Sequence, residues 1–194
     1  LGLDLHKFDL CSTKNNSDLP LILWNHRWEH DKNPETFFAA IQQLSNKGIN
    51  FNLAILGEEF KNELPCFISA RKKLHKHIVQ FGYAKSFNKY AEWLWKADIV
   101  PITSNQDFFG ASIMEAVYCN TMPLLPKRLT YPELFNQSKE PELFYENIDD
   151  LIIKLDYHIN NINLLRNQKF QHFAIRFDWS KMATLYDHEF EKFI

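Results

Sequence analysis

The chain has 194 residues, of which 45% are hydrophobic and 24% are charged, values typical of one globular domain with a full core. Its formal net charge of −2 excludes a domain that is basic over its whole surface, as many nucleic-acid-binding domains are. The sequence has no apolar run of the roughly 20 residues that a membrane-spanning helix requires.

Segments with the signals of a linker and of buried strands come first along the chain. Residues 1–18 end in a polar run and are expected to form a linker between domains. Five short apolar runs follow, each bounded by turn residues, as buried parallel strands tend to be. These runs are residues 21–24, 51–56, 78–81, 98–103 and 122–125.

Helix signals lie between these runs. Asn33 is suited to cap a helix whose first residue is Pro34, and Ser86 is suited to cap a second one. A third helix is expected to begin near Gly110, and residues 148–194 are helical in pattern. Alternating strands and helices predict an α/β domain: a Rossmann-like parallel sheet flanked by helices, with a helical C-terminal extension.

The loop after the first predicted strand carries two cations, Arg27 and Lys32. Ligands bind such sheets at the carboxyl ends of their strands. Two cations there suit a diphosphate, because Arg can chelate two oxygens while Lys adds a point charge. In a glycosyl transfer they would stabilise the leaving nucleoside diphosphate. The alternative is that both are ordinary solvated loop charges.

The same loop contains a pattern found in zinc peptidases. His26, Glu29 and His30 fit H-x-x-E-H, the inverted zinc-peptidase signature. That chemistry requires two histidines on one face of a helix, so that their ring nitrogens converge on zinc. Here the pattern follows a strand and stops at Asn33, where a helix begins. A zinc hydrolase is therefore a remote alternative.

A second constellation follows the fourth predicted strand and opens a helix. Gly110 allows a close backbone approach, and the helix N-terminus presents N–H groups to an anion. Glu115 lies one turn further and can reach a ribose diol with its carboxylate. Two structural alternatives remain open: Ser112 and Glu115 can form a capping box, and Asp107 can be a turn residue.

Together these motifs resemble the family-4 retaining glycosyltransferases of GT-B fold. That family has Arg-x4-Lys after the first strand of its C-terminal domain, and Arg27 and Lys32 have this spacing. It also has Glu-x7-Glu, whose spacing Asp107 and Glu115 share with Asp in first place. A closer resemblance, over about residues 19–135, is to the tRNA-queuosine α-mannosyltransferase branch. It is carried by residues 22–35, 108–110 with 114–119, and 123–126 with 131–133.

The resemblance implies a role for each of these four side chains. Arg27 and Lys32 would bind the donor diphosphate, and Glu115 would hold the nucleotide ribose. Asp107 would contact hydroxyl groups of the sugar, although its side chain is one methylene shorter than that of Glu. These four residues are the implied catalytic set.

The resemblance also implies further contacts to the donor. The backbone around Phe109 and Gly110 would meet the phosphate or the sugar, and Phe81, Gly82 and Tyr83 would frame the base. The expected donor is GDP-mannose, the expected acceptor is queuosine in tRNA, and no metal ion or other cofactor is expected. The odd number and wide spacing of the three cysteines favour reduced thiols, and therefore the cytoplasm as the compartment.

Three regions are expected on this basis. Residues 1–18 would be the interdomain linker, residues 19–177 the nucleotide-sugar-binding domain, and residues 178–194 a helix that packs on an absent N-terminal domain. The chain alone is then expected to bind nucleotide weakly and to transfer nothing. The alternatives are a glycosyltransferase that uses another nucleotide sugar, and a non-catalytic nucleotide-binding module.

Overall fold

A computed structural model describes residues 1–13, 15, 17–57 and 64–193. Positions 14 and 16 of the predicted linker, and position 194 of the predicted last helix, lie outside this part of the chain. The strands are β1 (Leu21–Trp24), β2 (Asn52–Ile55), β3 (Ile78–Phe81), β4 (Ile99–Pro101), β5 (Met122–Pro126) and β6 (Phe144–Tyr145). The longer helices are α1 (Pro34–Asn46), α2 (Pro65–Lys73), α3 (Phe87–Lys96), α4 (Ala111–Tyr118), α6 (Ile148–Asn160) and α9 (Trp179–Glu191), and the shorter ones are α5 (Tyr131–Leu134), α7 (Ile162–Arg166) and α8 (Gln171–Ile175).

Within the described residues, six strands form one parallel sheet in the order β3-β2-β1-β4-β5-β6. All four residues of β1 are buried, as expected of a central strand covered by helices on both faces. The chain winds outwards from β1 in one direction and from β4 in the other. The order therefore reverses between β1 and β4, which is where ligands bind in doubly wound sheets. The predicted fold class is confirmed.

The capping residues explain where two of the helices begin. Asn33 has a left-handed backbone conformation (φ 51°), and its side-chain oxygen accepts a hydrogen bond from Thr36 N over 3.3 Å. Ser86 Oγ accepts from Lys89 N over 3.3 Å and begins α3. Both caps were predicted, because a short polar side chain at this position pairs with an otherwise free N–H group.

The N-terminal segment packs on the rest of the domain. Leu5 and Phe8 are fully buried, and Trp95 on α3 donates from Nε1 to the carbonyl of Phe8 over 2.8 Å. Leu3 pairs with the residues that begin α9, since Leu3 N donates to Phe177 O and Trp179 N donates to Leu3 O. Leu5 and Phe8, which lie in the predicted linker, therefore belong to the core of the described domain.

The last helix, α9, has an exposed apolar face. Trp179, Leu185 and Phe190 are each more than half exposed, and α9 has no buried residue among those described. Packing of this face on a further domain stays a prediction. No helix in the described part of the chain has the length and apolarity needed to cross a membrane.

Candidate functional site

The loops that follow β1 and β4 meet at the carboxyl edge of the sheet. We call this place the β1/β4 junction (residues 25–33 and 102–110). Thr103 Oγ1 donates to the carbonyls of Lys32 and Asn33 over 2.9 and 3.0 Å, and Asn105 N donates to Asp31 O over 2.8 Å. These bonds hold the two predicted motifs side by side, although they lie far apart in the sequence.

Lys32 and Asp107 lie next to each other in the junction. The Lys32 ammonium is 3.6 Å from Asp107 Oδ2 and 3.1 Å from Asp31 Oδ2, and it donates to Gln106 O over 2.9 Å. Both side chains are largely buried, with 11% of Lys32 and 13% of Asp107 exposed. A cation held between two carboxylates at a strand end is not an ordinary solvated loop charge.

Asp107 also closes the turn that leads into α4. Its Oδ1 accepts from Gly110 N over 2.9 Å, and its Oδ2 accepts from the Tyr131 hydroxyl over 3.3 Å. Gly110 has φ 75°, a left-handed conformation that favours glycine, and it caps α4. The turn interpretation of Asp107 is therefore correct, and the same carboxylate also lies beside Lys32.

Glu115 does not form the capping box with Ser112. Its Oε2 instead accepts a hydrogen bond of 2.7 Å from the hydroxyl of Tyr90 on α3. Burial raises the pKa of the Glu115 carboxyl, while the hydrogen bond from Tyr90 and the charge of Lys7 act in the opposite direction. The capping interpretation is wrong because the carboxylate turns away from its own helix terminus towards α3.

A cavity of about 420 Å³ lies beside the junction. Arg27, Tyr83, Phe87 and Tyr90 contribute its walls, together with Gly57 at the end of β2. The Arg27 side chain is 59% exposed and pairs with Glu29 over 3.1 Å. The cavity therefore combines aromatic walls with one exposed cation, a composition that suits a nucleoside with an attached phosphate.

Polar atoms without a partner are concentrated in the junction. Among the described residues, the buried side-chain atoms that lack a hydrogen bond are Asn25 Oδ1, His26 Nε2, Asp31 Oδ1 and Ser104 Oγ. His26 is 3% exposed, and burial, followed by the charge of Lys32, lowers its pKa to about 4. The His26 imidazole is therefore neutral at pH 7, its ring nitrogen Nε2 has no partner among the described residues, and the residue contributes to the cavity wall.

Comparison with known proteins identifies the family. Residues 9–172 match the family described as glycosyl transferases group 1. The chain belongs to this family. The glycosyltransferase domain is also 31% identical over 177 residues to the tRNA-queuosine alpha-mannosyltransferase of Drosophila melanogaster, a match that covers 89% of this chain and 46% of that protein.

Solved structures share the fold of this glycosyltransferase domain. Sucrose-phosphate synthase from Thermosynechococcus elongatus superposes with a TM-score of 0.70 at 18% identity, over 90% of this chain and 46% of that one. A glycosyltransferase from Rickettsia africae also superposes with a TM-score of 0.70 at 18% identity, over 96% of this chain and 50% of that one. The domain thus has the fold of one half of a GT-B glycosyltransferase and spans about half the length of these relatives.

The histidine pattern in this glycosyltransferase domain does not form a zinc site. His26 is buried with Nδ1 3.2 Å from Ser112 Oγ, whereas the His30 side chain is 76% exposed and pairs with Glu35. Residues 26–29 are not helical, so the two rings do not share a helix face. No cluster of three potential His, Cys, Asp or Glu ligands occurs in the described part of the chain. The geometry therefore gives no support to the zinc hydrolase alternative.

Of the three residues predicted to frame a base, Phe81, Gly82 and Tyr83, only Tyr83 lines the cavity of the glycosyltransferase domain. Tyr83 lines the cavity and is 66% exposed. Phe81 packs instead on Trp28, with ring centroids 5.0 Å apart, and lies under the Arg71 guanidinium. Gly82 has φ 102° and donates from its N–H group to Ile55 O, which sets the turn that presents Tyr83.

The ring of Phe109 also faces the protein. Its centroid is 5.0 Å from that of Phe177, close to the start of α9. The predicted contact of Phe109 and Gly110 with phosphate or sugar concerns their backbone, and α4 begins directly after Gly110. The side chain of Phe109 thus fixes this backbone against the segment that enters the last helix.

Two residues of the site escaped the sequence motifs. Gly57 has φ 110°, and a Cβ atom there would lie 2.5 Å from the carbonyl oxygen of His26, so only glycine lets the loops after β1 and β2 approach this closely. Its position directly after an apolar run was the available signal. Tyr90 had no such signal, because its partner Glu115 lies on another helix.

Proposed function

We propose that this domain binds the nucleotide-sugar donor of a retaining hexosyltransferase at the β1/β4 junction, and that the donor is GDP-mannose. One observation carries the proposal: the buried polar atoms without a partner, among those described, all belong to this junction. Each such atom costs roughly 1–3 kcal/mol of folding stability. Asn25 and His26 also contribute to the cavity wall, where a polar ligand that pairs with their unpartnered atoms would recover that free energy.

The cations would carry the diphosphate in this proposal. Arg27 is exposed and can turn from Glu29 to a phosphate, where its planar guanidinium binds two oxygens. Lys32 starts between two carboxylates, so a bound diphosphate competes with Asp31 and Asp107 for the ammonium. The two cations stabilise the charge that develops on the leaving nucleoside diphosphate, and the proposal requires neither a metal ion nor an enzymic nucleophile.

The remaining contacts to the donor follow from the same placement. Glu115 would accept from the ribose hydroxyls, and Asp107 would accept from a hydroxyl of the sugar. The backbone at Phe109 and Gly110 would approach the phosphate or sugar. Tyr83 would cover the base across the cavity, on the turn that Phe81 and Gly82 support.

The choice of sugar and acceptor rests on the relative from Drosophila melanogaster, whose name states both α-mannosyl transfer and queuosine in tRNA. The domain spans 46% of that relative. Transfer would therefore require a second domain that binds the acceptor. We expect residues 1–194 alone to bind nucleotide without transferring mannose.

Titration with nucleotides tests the proposal. GDP, GDP-mannose, UDP and UDP-glucose are added separately to the chain, and binding is followed by ligand-observed NMR, which detects weak complexes. We expect GDP and GDP-mannose to bind, and the Arg27→Ala, Lys32→Ala double variant to lose this binding. The double variant Lys72→Ala, Lys73→Ala removes two exposed cations of α2, away from the junction, and should bind as the wild type does.

Each outcome of the titration has a definite consequence. A preference for uridine nucleotides would overturn GDP-mannose as the donor and leave a nucleotide-sugar site. Equal binding by the wild type and the Arg27→Ala, Lys32→Ala variant would overturn the assignment of the site. No binding of any of the four nucleotides to the folded chain would contradict the proposal that this domain holds the donor.

The alternative of a non-catalytic binding module depends on the departure at Asp107. Asp107 Oδ1 reaches Gly110 N over 2.9 Å, a distance that suits the shorter side chain. We therefore expect Asp107→Glu to lower mannosyl transfer by a longer protein that contains this domain. A rise in turnover would indicate that the aspartate is a lesion and would favour the binding module.

A further inference from the structure

Tyr90 connects the cavity wall with the carboxylate of Glu115. Its ring lines the cavity, and its hydroxyl donates to Glu115 Oε2 over 2.7 Å. The ring also packs near Phe8, with centroids 6.3 Å apart. Tyr90 lies on α3 and Glu115 on α4, so this bond fixes a side chain of one helix from the other.

The protonation states of Tyr90 and Glu115 determine which of the two donates this hydrogen bond. Burial, followed by the charge of Glu115, raises the pKa of the Tyr90 phenol well above its usual value, so Tyr90 retains its proton. The hydrogen bond from Tyr90 in turn lowers the pKa of the Glu115 carboxyl against the larger effect of burial. Tyr90 is therefore the donor and Glu115 the acceptor at neutral pH.

The bond occupies only one of the two carboxylate oxygens. Within the described residues, the hydrogen bond from Tyr90 ends on Oε2, and Oε1 is not a buried atom left without a partner. One oxygen is therefore anchored while the other remains for a ligand. A carboxylate held in this way loses little rotational freedom when it accepts from a hydroxyl group.

We propose that Tyr90 is a positioning residue for ribose: it holds Glu115 so that Oε1 accepts from the ribose diol, and it thereby makes the site selective for ribonucleotides over deoxyribonucleotides. The inference rests on the proposed function, because it takes a ribonucleoside diphosphate as the ligand. It gives Tyr90 of α3 a role in positioning a side chain of α4.

The alternative is that Tyr90 only joins α3 to α4. In that case its hydroxyl would contribute to the stability of the domain and not to the choice between ribose and deoxyribose. The ratio of two affinities separates these roles, because a loss of stability that leaves the domain folded changes both affinities alike.

The test compares GDP with 2′-deoxy-GDP on the folded chain by titration. The wild type should prefer GDP by about tenfold or more, as expected for a hydrogen bond to a charged group. Tyr90→Phe should reduce this preference to about threefold or less, since the carboxylate is no longer fixed. Tyr157→Phe removes an exposed hydroxyl from α6, outside the cavity, and should keep the full preference.

A second variant and a change of pH make the test specific. Glu115→Gln should reduce the preference on its own, and adding Tyr90→Phe to it should reduce the preference no further, because both act through one carboxylate. Tyr90→Phe also removes the bond that lowers the pKa of Glu115. As the solution is acidified, the remaining preference of the Tyr90→Phe variant for GDP over 2′-deoxy-GDP should therefore disappear at a higher pH than the preference of the wild type does.

The results distinguish the inference from the proposed function. If folded Tyr90→Phe retains the wild-type preference, the positioning role of Tyr90 is refuted while the donor site stands. If the wild type binds GDP and 2′-deoxy-GDP equally, the ribose contact of Glu115 is itself refuted. Thermal unfolding of each variant confirms that the domain is folded, and full additivity of the two substitutions would also overturn the inference.

Discussion

Acidification should destabilise the domain through His26. The ring is 3% exposed, and burial, followed by the charge of Lys32, lowers its pKa from 6.5 to about 4. The unfolded chain therefore binds a proton on this side chain at a higher pH than the folded chain does. The stability that the neutral ring contributes is fully present above pH 6.5 and is lost as the pH falls from 6.5 towards 4.

The magnitude follows from these two pKa values. Between pH 7.5 and pH 5, His26 alone should reduce the free energy of unfolding by about 2 kcal/mol, and by about 3 kcal/mol at pH 4. These values are a large fraction of the roughly 5–15 kcal/mol that stabilises a typical domain. The effect of a single buried ring should therefore be measurable.

Urea unfolding at pH 7.5 and pH 5.0 provides the assay, with the fluorescence of the buried Trp24 and Trp28 as the signal. His26→Asn removes the titrating group and can keep a polar atom near Ser112. Its loss of stability between the two pH values should be about 2 kcal/mol smaller than that of the wild type. His30→Asn changes an exposed ring and serves as the control. If His26→Asn and the wild type lose the same free energy, the reasoning about His26 is refuted.

Two further substitutions test the packing around the site and at the opposite edge of the sheet. Gly57→Ala should lower the free energy of unfolding, measured with urea, by roughly 2 kcal/mol, because φ is 110° and the new Cβ meets the carbonyl of His26. Gly48→Ala places its Cβ in open space and should lower the free energy of unfolding by less. Equal losses for the two variants would contradict this reasoning. Arg166→Met should cost about 2 kcal/mol in the same assay, since it leaves the buried Asp98 carboxylate without the guanidinium 2.8 Å away. The loss should not add to that of Asp98→Asn, and additive losses would show that the two side chains act separately.

The sequence predicted the parts of the fold that depend on local signals. The bounds of β1 and β3 agree with the predicted runs, because turn residues enclose each apolar segment. Asn33 and Ser86 mark helix starts, since a capping side chain acts within three residues of itself. Helix α2 was not predicted, because it buries only Phe67 and Ala70 among the residues described and has a weak apolar period.

The site was predictable only where its residues lie close in sequence. The spacing of Asp107 and Glu115 was readable, and so was the presence of Lys32 after a strand. The contact between Lys32 and Asp107, and the bond from Tyr90 to Glu115, depend on the order in which strands and helices pack. The capping box of Ser112 and Glu115 failed for the same reason, because a tertiary partner outweighed a local one.

The unpaired polar atoms of the β1/β4 junction also have a consequence for the thermal stability of this domain. A sequence selected for heat resistance alone would replace such groups by apolar side chains of similar shape, since that exchange is nearly neutral or stabilising. Retaining them keeps the unliganded protein below the stability its fold could reach, a cost that proteins commonly carry where function requires it. Engineering for thermostability should therefore leave this edge of the sheet unchanged and alter the exposed residues of α2 and α6.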